Sequence, residues 1–123
     1  MSVLNSIEDR QAFHALLAEN KGIIILKFGA EWCNPCKLIA PLVAEYKAKL
    51  PEGITFYDLD VDDNFEIYAY LKSKKMVSGI PALLAYFPGN TTFASDAFIS
   101  GTNEEQIKWF FNTCITKYIS LPK

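Results

Sequence analysis

Segments with strand-like hydrophobic patterning alternate with segments of helical periodicity along this chain, and the alternation restricts the fold more than any other feature. Residues 23–28 form a short β-branched run of the kind found in strands that are buried on both faces. Residues 54–61 alternate as a strand does, and residues 81–87 form another apolar strand. Because helical patterns separate these strands, the chain is predicted to be an α/β protein with a mixed sheet between helices.

Helices are predicted before, between and after these strands. The first is expected to have Ser6 as its N-cap, with Asp9 completing an approximate capping box, and to end at Gly22. A short helix is predicted over residues 64–71. The helix that follows the cysteine pair at residues 33 and 36 carries five residues on one apolar face: Ile39, Leu42, Val43, Tyr46 and Leu50.

The C-terminal part of the chain is predicted to form a hairpin and a last helix. The Pro-Gly-Asn turn at residues 88–90 leads into residues 91–100, which are expected to pair antiparallel with the strand before the turn. The last helix is expected to begin near Asn103. Its predicted core residues are Ile107, Phe110, Phe111, Cys114, Ile115 and Tyr118.

Length and charge exclude several functional classes. The chain has 123 residues, which predicts one domain over residues 1–123. Its net charge of −2 offers no basic face for nucleic acid or for a membrane surface. No leader-like or membrane-spanning apolar run is visible in the sequence, so a cytoplasmic location without a membrane partner is predicted.

The chemistry of the chain is predicted to reside in Cys33 and Cys36, which lie where a strand passes into a helix. The N-terminus of a helix favours a thiolate, which is the nucleophilic form of cysteine. Cys33 is expected to be exposed at the helix entrance and Cys36 to lie one turn deeper. In the predicted reaction Cys33 attacks a substrate disulfide, and Cys36 then resolves the mixed disulfide and leaves an internal one.

A zinc site is the competing interpretation of a Cys-x-x-Cys pair, and it requires four ligands. The only other cysteine and histidine are Cys114 and His14. Cys114 falls on the core face of the last helix, and His14 lies one position off the apolar face of the first helix, where it is expected to be solvated. No metal and no tightly bound cofactor are therefore predicted.

The cysteine motif resembles that of the thioredoxin family. The matching segment, residues 28–41, reads FGAEWCNPCKLIAP, and a second segment, residues 77–81, reads VSGIP. The resemblance implies a thioredoxin fold, an α/β fold whose central mixed sheet of four to five strands has helices on both faces. It also implies a protein dithiol–disulfide oxidoreductase, and the proline beside the second cysteine favours reduction of the substrate.

The resemblance further implies a surface that binds substrate around the dithiol. The peptide bond before Pro81 is expected to be cis, and Ile80 is expected to present its backbone to an extended substrate segment. Gly101 is a further candidate for this surface. The substrate-binding residues are predicted to be Trp32, Asn34, Pro35, Gly79, Ile80 and Pro81.

The sequence departs from the family at a buried charge. Thioredoxins usually carry Asp at the position of Lys27 and pair it with a Lys, and the position of that Lys is matched here by Asp58. An exchanged pair is expected, because a buried charge without a partner is costly. Asp60 is the next candidate partner, and an outward-pointing Lys27 is the alternative. If the pair forms, Asp58 is expected to accept the proton of Cys36, and Lys27 to favour the thiolate.

Two functional classes remain open at this stage. The leading hypothesis is an enzyme that reduces protein disulfides, which by resemblance receives electrons from a thioredoxin reductase, a flavoprotein, and acts as a monomer. The alternative is a thioredoxin-fold adaptor with little redox turnover. Three lysines, which could select acidic partners or simply be a solvated helix end, are expected near the docking surface: Lys72, Lys74 and Lys75.

Overall fold

The computed structural model describes residues 3–122 and contains one sheet with helices on both faces. The predicted mixed sheet is confirmed and has five strands in the order β1-β3-β2-β4-β5. The elements are β1 (Val3–Leu4), α1 (Arg10–Glu19), β2 (Ile23–Gly29), α2 (Asn34–Lys47), β3 (Ile54–Asp60), α3 (Phe65–Ser73), β4 (Ala82–Tyr86), β5 (Ala97–Ser100) and α4 (Glu104–Ser120).

Strand β2 lies at the centre of the sheet. It runs parallel to β3 and antiparallel to β4, and β5 pairs antiparallel with β4 as the hairpin prediction required. Six of the seven residues of β2 are buried, because helices cover both faces of the sheet. The exception is Lys27, which is only half-buried.

Two hydrophobic cores lie on opposite faces of the sheet. Alternate residues of β2 enter each core, as the two-residue repeat of a strand requires: Ile24, Leu26 and Phe28 pack with α1 and α3. Ile23 and Ile25 pack with α2 and α4 on the other face. The largest side chains of this second core come from α4 and β3, and they include Phe56, Phe110 and Phe111.

The start of the chain differs from the prediction. Asp9, rather than Ser6, caps α1, and its side chain accepts a hydrogen bond from the Ala12 amide. The preceding segment cannot join the helix, because the Ile7 amide is bound to the buried side chain of Asn64 at 2.9 Å. The same part of the chain forms β1, a two-residue edge strand that was not predicted.

The helix ends also depart from the sequence patterns. Helix α1 ends before Asn20, which forms the C-cap, so the predicted stop at Gly22 lies beyond the helix. A Cβ at Gly22 would collide with the backbone oxygen of Gly53, so close backbone contact requires glycine there. Helix α2 ends before Leu50, which is nevertheless buried in the core by the loop that follows.

The predicted strand over residues 91–100 is wrong in its first half. Residues 91–96 form an irregular loop, and only Ala97–Ser100 pairs with β4. Polar side chains stabilise the loop in place of ladder hydrogen bonds: Asn90 donates to the carbonyl of Ala94 at 2.8 Å, and the Asp96 carboxylate accepts from the Phe87 amide at 2.8 Å. Hydrogen bonds of Asn90 and Asp96 therefore bend a segment that the sequence pattern had predicted to be an extended strand.

No helix within residues 3–122 combines the length and the apolar character that crossing a membrane would take.

Candidate functional site

The dithiol lies at the junction of β2 and α2. Cys33 is the N-cap of α2, and its Sγ accepts a hydrogen bond from the Cys36 amide at 3.2 Å. The two cysteines are joined by a disulfide, and their Cα atoms are 5.3 Å apart. Pro35 occupies the first turn, where a helix has no acceptor for an amide, and Pro41 lies inside the helix. The first turn of α2 therefore directs a backbone donor at the sulfur of Cys33.

The expectation that Cys33 is exposed is wrong for this disulfide form. Cys33 is 4% exposed and Cys36 is 6% exposed, so the two are equally buried. The expectation considered only the position at the helix entrance. In the structure the Cys33 amide also bonds the Ala30 carbonyl at 3.1 Å, and its sulfur turns inward to the Cys36 amide and sulfur.

A polar cavity of about 590 Å³ reaches Cys36 from the side of β2 and β3. Its walls include Lys27 and Gly29 of β2 and Asp58 of β3. A Cβ placed on Gly29 would contact both the Lys27 Nζ, at 3.3 Å, and the Cys36 Sγ, at 3.4 Å. The ammonium group and the inner sulfur therefore lie on the same side of Gly29. The acidic residues that line the cavity are Glu31, Asp58, Asp60, Asp62 and Asp63.

Lys27 and Asp58 form an ion pair across neighbouring strands. They are register partners in the β2–β3 ladder, and the Lys27 Nζ lies 3.3 Å from the Asp58 Oδ1. The Lys27 side chain is only 14% exposed, which is inconsistent with the outward-pointing alternative. A second lysine, Lys47, approaches the other carboxylate oxygen at 3.8 Å. Asp60, the other candidate partner, instead accepts the Asp62 amide.

The segment before β4 lies at the same end of the sheet as the dithiol. The Ile80–Pro81 peptide bond is cis, and Ala82, the next residue, pairs with Phe28 near the end of β2. The Pro81 carbonyl accepts a hydrogen bond from Gly101 at 3.0 Å. Gly79 faces open space, since no atom lies within 4 Å of a Cβ built there. The position of Gly79 is thus open at this end of the sheet.

The family comparison matches residues 5–113 to the family model named Thioredoxin. The chain belongs to the thioredoxin family. Thioredoxins are thiol–disulfide oxidoreductases, and this thioredoxin-family chain, with its cysteine pair bridged at the helix N-terminus, is a protein dithiol–disulfide oxidoreductase. In general, thioredoxins act on protein disulfides and are reduced by a partner reductase.

Similar thioredoxins come from distant organisms. Thioredoxin-1 of Saccharomyces cerevisiae is 33% identical over 96 residues, which cover 78% of this chain and 84% of the yeast protein. The thioredoxin of Bacillus subtilis is 34% identical over 88 residues, 72% of this chain and 79% of the bacterial protein. The X-ray structure of Fasciola hepatica thioredoxin superposes with a TM-score of 0.69 at 28% identity and covers 90% of this chain and 99% of that one. The predicted thioredoxin fold is therefore confirmed.

Trp32 is the largest exposed side chain beside the dithiol, with 65% of its surface exposed. Its indole Nε1 donates a hydrogen bond to the Asp62 carboxylate at 2.8 Å, which fixes the orientation of the ring. Asn34 and Pro35 are exposed next to it. Asp62 was not predicted as a site residue, because nothing in its local sequence indicates a partner that is 30 residues away.

His14 is not solvated as predicted. It is half-buried between α1 and α3, and its Nε2 lies 2.9 Å from the Tyr70 hydroxyl oxygen. The prediction considered only the hydrophobic pattern of α1 and could not detect an aromatic partner on α3. Within the described part of the chain, no group of three or more His, Cys, Asp and Glu residues is arranged to hold a metal ion.

Cys114 is a buried free cysteine in α4, as the core pattern predicted. Burial raises the pKa of its thiol to about 12. Near pH 8 only roughly one molecule in ten thousand would carry the thiolate there. In the reduced native protein, we expect a thiol reagent to modify Cys33 and Cys36 and to leave Cys114 unmodified until the chain unfolds, as counted by mass spectrometry.

The control for this prediction is Cys114→Ala. This variant should lack the third modification that wild type gains on unfolding, and its other two cysteines should react as they do in wild type. Rapid modification of all three cysteines in the folded protein would contradict the burial of Cys114.

Proposed function

We propose that this chain, working as a single thioredoxin-like domain over residues 1–123, reduces disulfide bonds in other proteins, with Cys33 as attacking and Cys36 as resolving cysteine. The observation that carries this assignment is the amide of Cys36, which donates to the sulfur of Cys33 at the N-terminus of α2. After reduction the same donor stabilises a Cys33 thiolate, and the positive end of the helix dipole adds to the effect. Cys36 lies inside the helix rather than at the N-cap, so its thiolate does not receive this stabilisation.

The reaction is a pair of thiol–disulfide exchanges. The Cys33 thiolate attacks one sulfur of the substrate disulfide, the bond between the substrate sulfurs breaks, and the departing thiolate takes up a proton. Cys36 loses its proton and attacks the Cys33 sulfur, which releases the second substrate thiol and forms the Cys33–Cys36 disulfide. Two electrons have then passed from the dithiol to the substrate.

In this proposal, a substrate gains access to Cys33 when the Cys33–Cys36 disulfide is reduced. In the disulfide form the sulfur is turned inward and buried. Breaking the sulfur–sulfur bond frees the Cys33 side chain to rotate towards the surface that carries Trp32 and Gly79. The burial of the oxidised form therefore agrees with release of the product, because the oxidised dithiol presents no sulfur to a second substrate.

The surface around the dithiol supplies the substrate contacts in this proposal. Trp32, Asn34 and Pro35 are exposed beside the cysteines, and Ile80 is half-exposed next to the open position of Gly79. An extended substrate segment can hydrogen-bond to the backbone around Ile80 as an added strand does. Pro81 is itself buried, so its predicted part in substrate binding would be played by the backbone of this segment rather than by its ring.

Lys27 and Asp58 have a catalytic role in this proposal. The ammonium of Lys27 lies on the same side of Gly29 as the Cys36 sulfur and favours its thiolate when Cys36 must attack. Asp58 is paired with that ammonium and is 42% exposed to the cavity side, so it can accept the proton of Cys36 through water and pass it to solvent.

We expect substitutions of this pair to move the pH profile of disulfide reduction in opposite directions. Lys27→Met removes the positive charge beside Cys36 and should shift the midpoint upward by about one pH unit, and Asp58→Asn should shift it downward by a similar or smaller amount. The rate of mixed-disulfide resolution, measured by rapid mixing across pH, is the readout.

Lys47→Met is the matched control for this pair. Lys47 contacts the same carboxylate at 3.8 Å, but it does not line the cavity at Cys36. Its loss should leave the midpoint within the error of the measurement. If neither Lys27→Met nor Asp58→Asn moves the profile, these two residues are structural and have no part in proton transfer.

The proposed partners follow from the family. A flavoprotein thioredoxin reductase supplies the electrons, protein disulfides accept them, the chain acts as a monomer, and its location is cytoplasmic. Curated relatives include proteins named as mitochondrial thioredoxins, so localisation of the tagged full chain by microscopy is the direct test.

A turnover assay separates this enzyme from an adaptor with the same fold. Dithiothreitol slowly reduces an intermolecular protein disulfide, and catalytic amounts of this chain should accelerate that reduction many-fold. A wild-type chain that adds nothing to the rate of dithiothreitol alone would favour the adaptor, which binds without redox turnover.

A further inference from the structure

We propose a second binding site, for an aromatic phosphate monoester, in the pocket between α1 and α3. The pocket has a volume of about 510 Å³, within the range of small-molecule sites, and it shares no residue with the cavity at Cys36. Its lining residues are Arg10, Gln11, His14, Tyr70, Lys74 and Phe93. Lys74 was expected near the docking surface, but the structure places it in this pocket, and none of the six residues lines the cavity at Cys36.

The floor of the pocket is aromatic. The rings of Tyr70 and Phe93 meet edge to face with their centroids 6.3 Å apart, and His14 packs against Tyr70 at 5.8 Å. The Tyr70 hydroxyl lies at hydrogen-bond distance from the His14 Nε2. A flat apolar group can stack on this floor, because aromatic rings prefer offset and edge-to-face contacts with one another.

Two cations lie over the floor. The Arg10 guanidinium carbon is 5.9 Å from the Tyr70 ring centroid, and the Lys74 Nζ is 6.0 Å from the same centroid and 5.5 Å from that of Phe93. Within residues 3–122 neither cation forms a salt bridge. The nearest acidic residue in sequence, Asp9, already uses its side chain to cap α1.

This combination fits a doubly charged oxyanion on an aromatic group. Arg10 and Lys74 line the same pocket from two elements, so a phosphate bound there would receive charge-assisted hydrogen bonds from both. A guanidinium binds two phosphate oxygens at once, and an ammonium acts as a point charge. A chain with a net charge of −2 has no general attraction for anions, so binding here would depend on these two side chains.

The single histidine of the chain provides a direct readout, because the ring protons of His14 give one resolved set of NMR signals. Phenyl phosphate, titrated into the full reduced protein at fixed pH, should shift these signals saturably, and inorganic phosphate should bind several-fold more weakly. Arg10→Gln and Lys74→Gln should each weaken phenyl phosphate about tenfold, because each removes one charge-assisted contact. A phosphotyrosine tetrapeptide in a parallel arm tests whether the group comes from a protein side chain or a small molecule.

The matched control is Lys49→Gln. Lys49 also lies over a tyrosine ring, 5.6 Å from the centroid of Tyr46, but its charge is paired with Glu45 at 3.5 Å. Its loss should leave binding unchanged. The proposal is overturned if His14 shows no saturable shift, or if Arg10→Gln and Lys74→Gln bind phenyl phosphate as wild type does while remaining folded by circular dichroism. Equal affinity for inorganic and phenyl phosphate would overturn the assignment of the aromatic group.

Discussion

Replacing Cys33 by serine is expected to reduce the rate of disulfide reduction by roughly a thousandfold or more, to the rate of dithiothreitol alone. A serine hydroxyl is not ionised near neutral pH and cannot form a disulfide, so neither exchange step can proceed. The substitution changes one buried atom, and the fold should persist because the Cys36 amide can still donate to the serine oxygen. Turnover of an intermolecular disulfide substrate is the measurement.

Cys36→Ser is the informative companion variant, because it should block only the second step. The Cys33 thiolate can still attack, so a covalent complex between this chain and its substrate should accumulate and survive non-reducing electrophoresis. Cys33→Ser should give no such complex. Trapping by Cys33→Ser instead of Cys36→Ser would mean that the inner cysteine attacks first, and the assignment of roles would be reversed.

Truncation of Phe111 is expected to have the largest effect on stability, a loss of about 3–5 kcal/mol in the free energy of unfolding for Phe111→Ala. Phe111 is fully buried in the core between the sheet, α2 and α4. Its ring stacks on Tyr46 of α2 at 5.0 Å and on Phe56 of β3 at 6.4 Å, and it meets Phe110 edge to face. Removing it therefore leaves a cavity in contact with three other rings. Urea denaturation of the reduced protein measures the loss.

The matched control is Trp109→Ala on the same helix. Trp109 is 52% exposed, so its truncation should cost about 1 kcal/mol or less although the side chain is larger. If Phe111→Ala fails to fold, Phe111→Leu should still unfold cooperatively with a loss of about 1–2 kcal/mol. Equal losses for Trp109→Ala and Phe111→Leu would contradict the stacked arrangement around Phe111.

Much of the sheet could be predicted because its central strands are buried on both faces. The strand that became β4 is apolar without interruption, and the run that became β2 is interrupted only by Lys27. The two-residue β1 could not be predicted, because it pairs only along an edge, and the segment after it is held by a contact with Asn64, far away in the sequence. The same long-range contact moved the helix cap from Ser6 to Asp9.

The features of the site that depend on local sequence could be predicted. Those that depend on how distant segments pack together could not. The cysteine spacing places Cys33 and Cys36 within one helical turn, and the exchanged charges at positions 27 and 58 predicted the ion pair that Lys27 and Asp58 form across the sheet. The burial of Cys33 and the hydrogen bond from Trp32 to Asp62 depend on how separate segments pack around the helix entrance. The partner of His14 likewise lies on another helix.

The ion pair between β2 and β3 also restricts how such a sequence can change over time. Lys27 and Asp58 are register partners, so exchanging only one of them would place two like charges side by side next to the core. A lineage that moves between this arrangement and the reverse one must change both codons together or pass through an uncharged intermediate. We therefore expect the two positions to change together, and their covariation should mark this branch of the family.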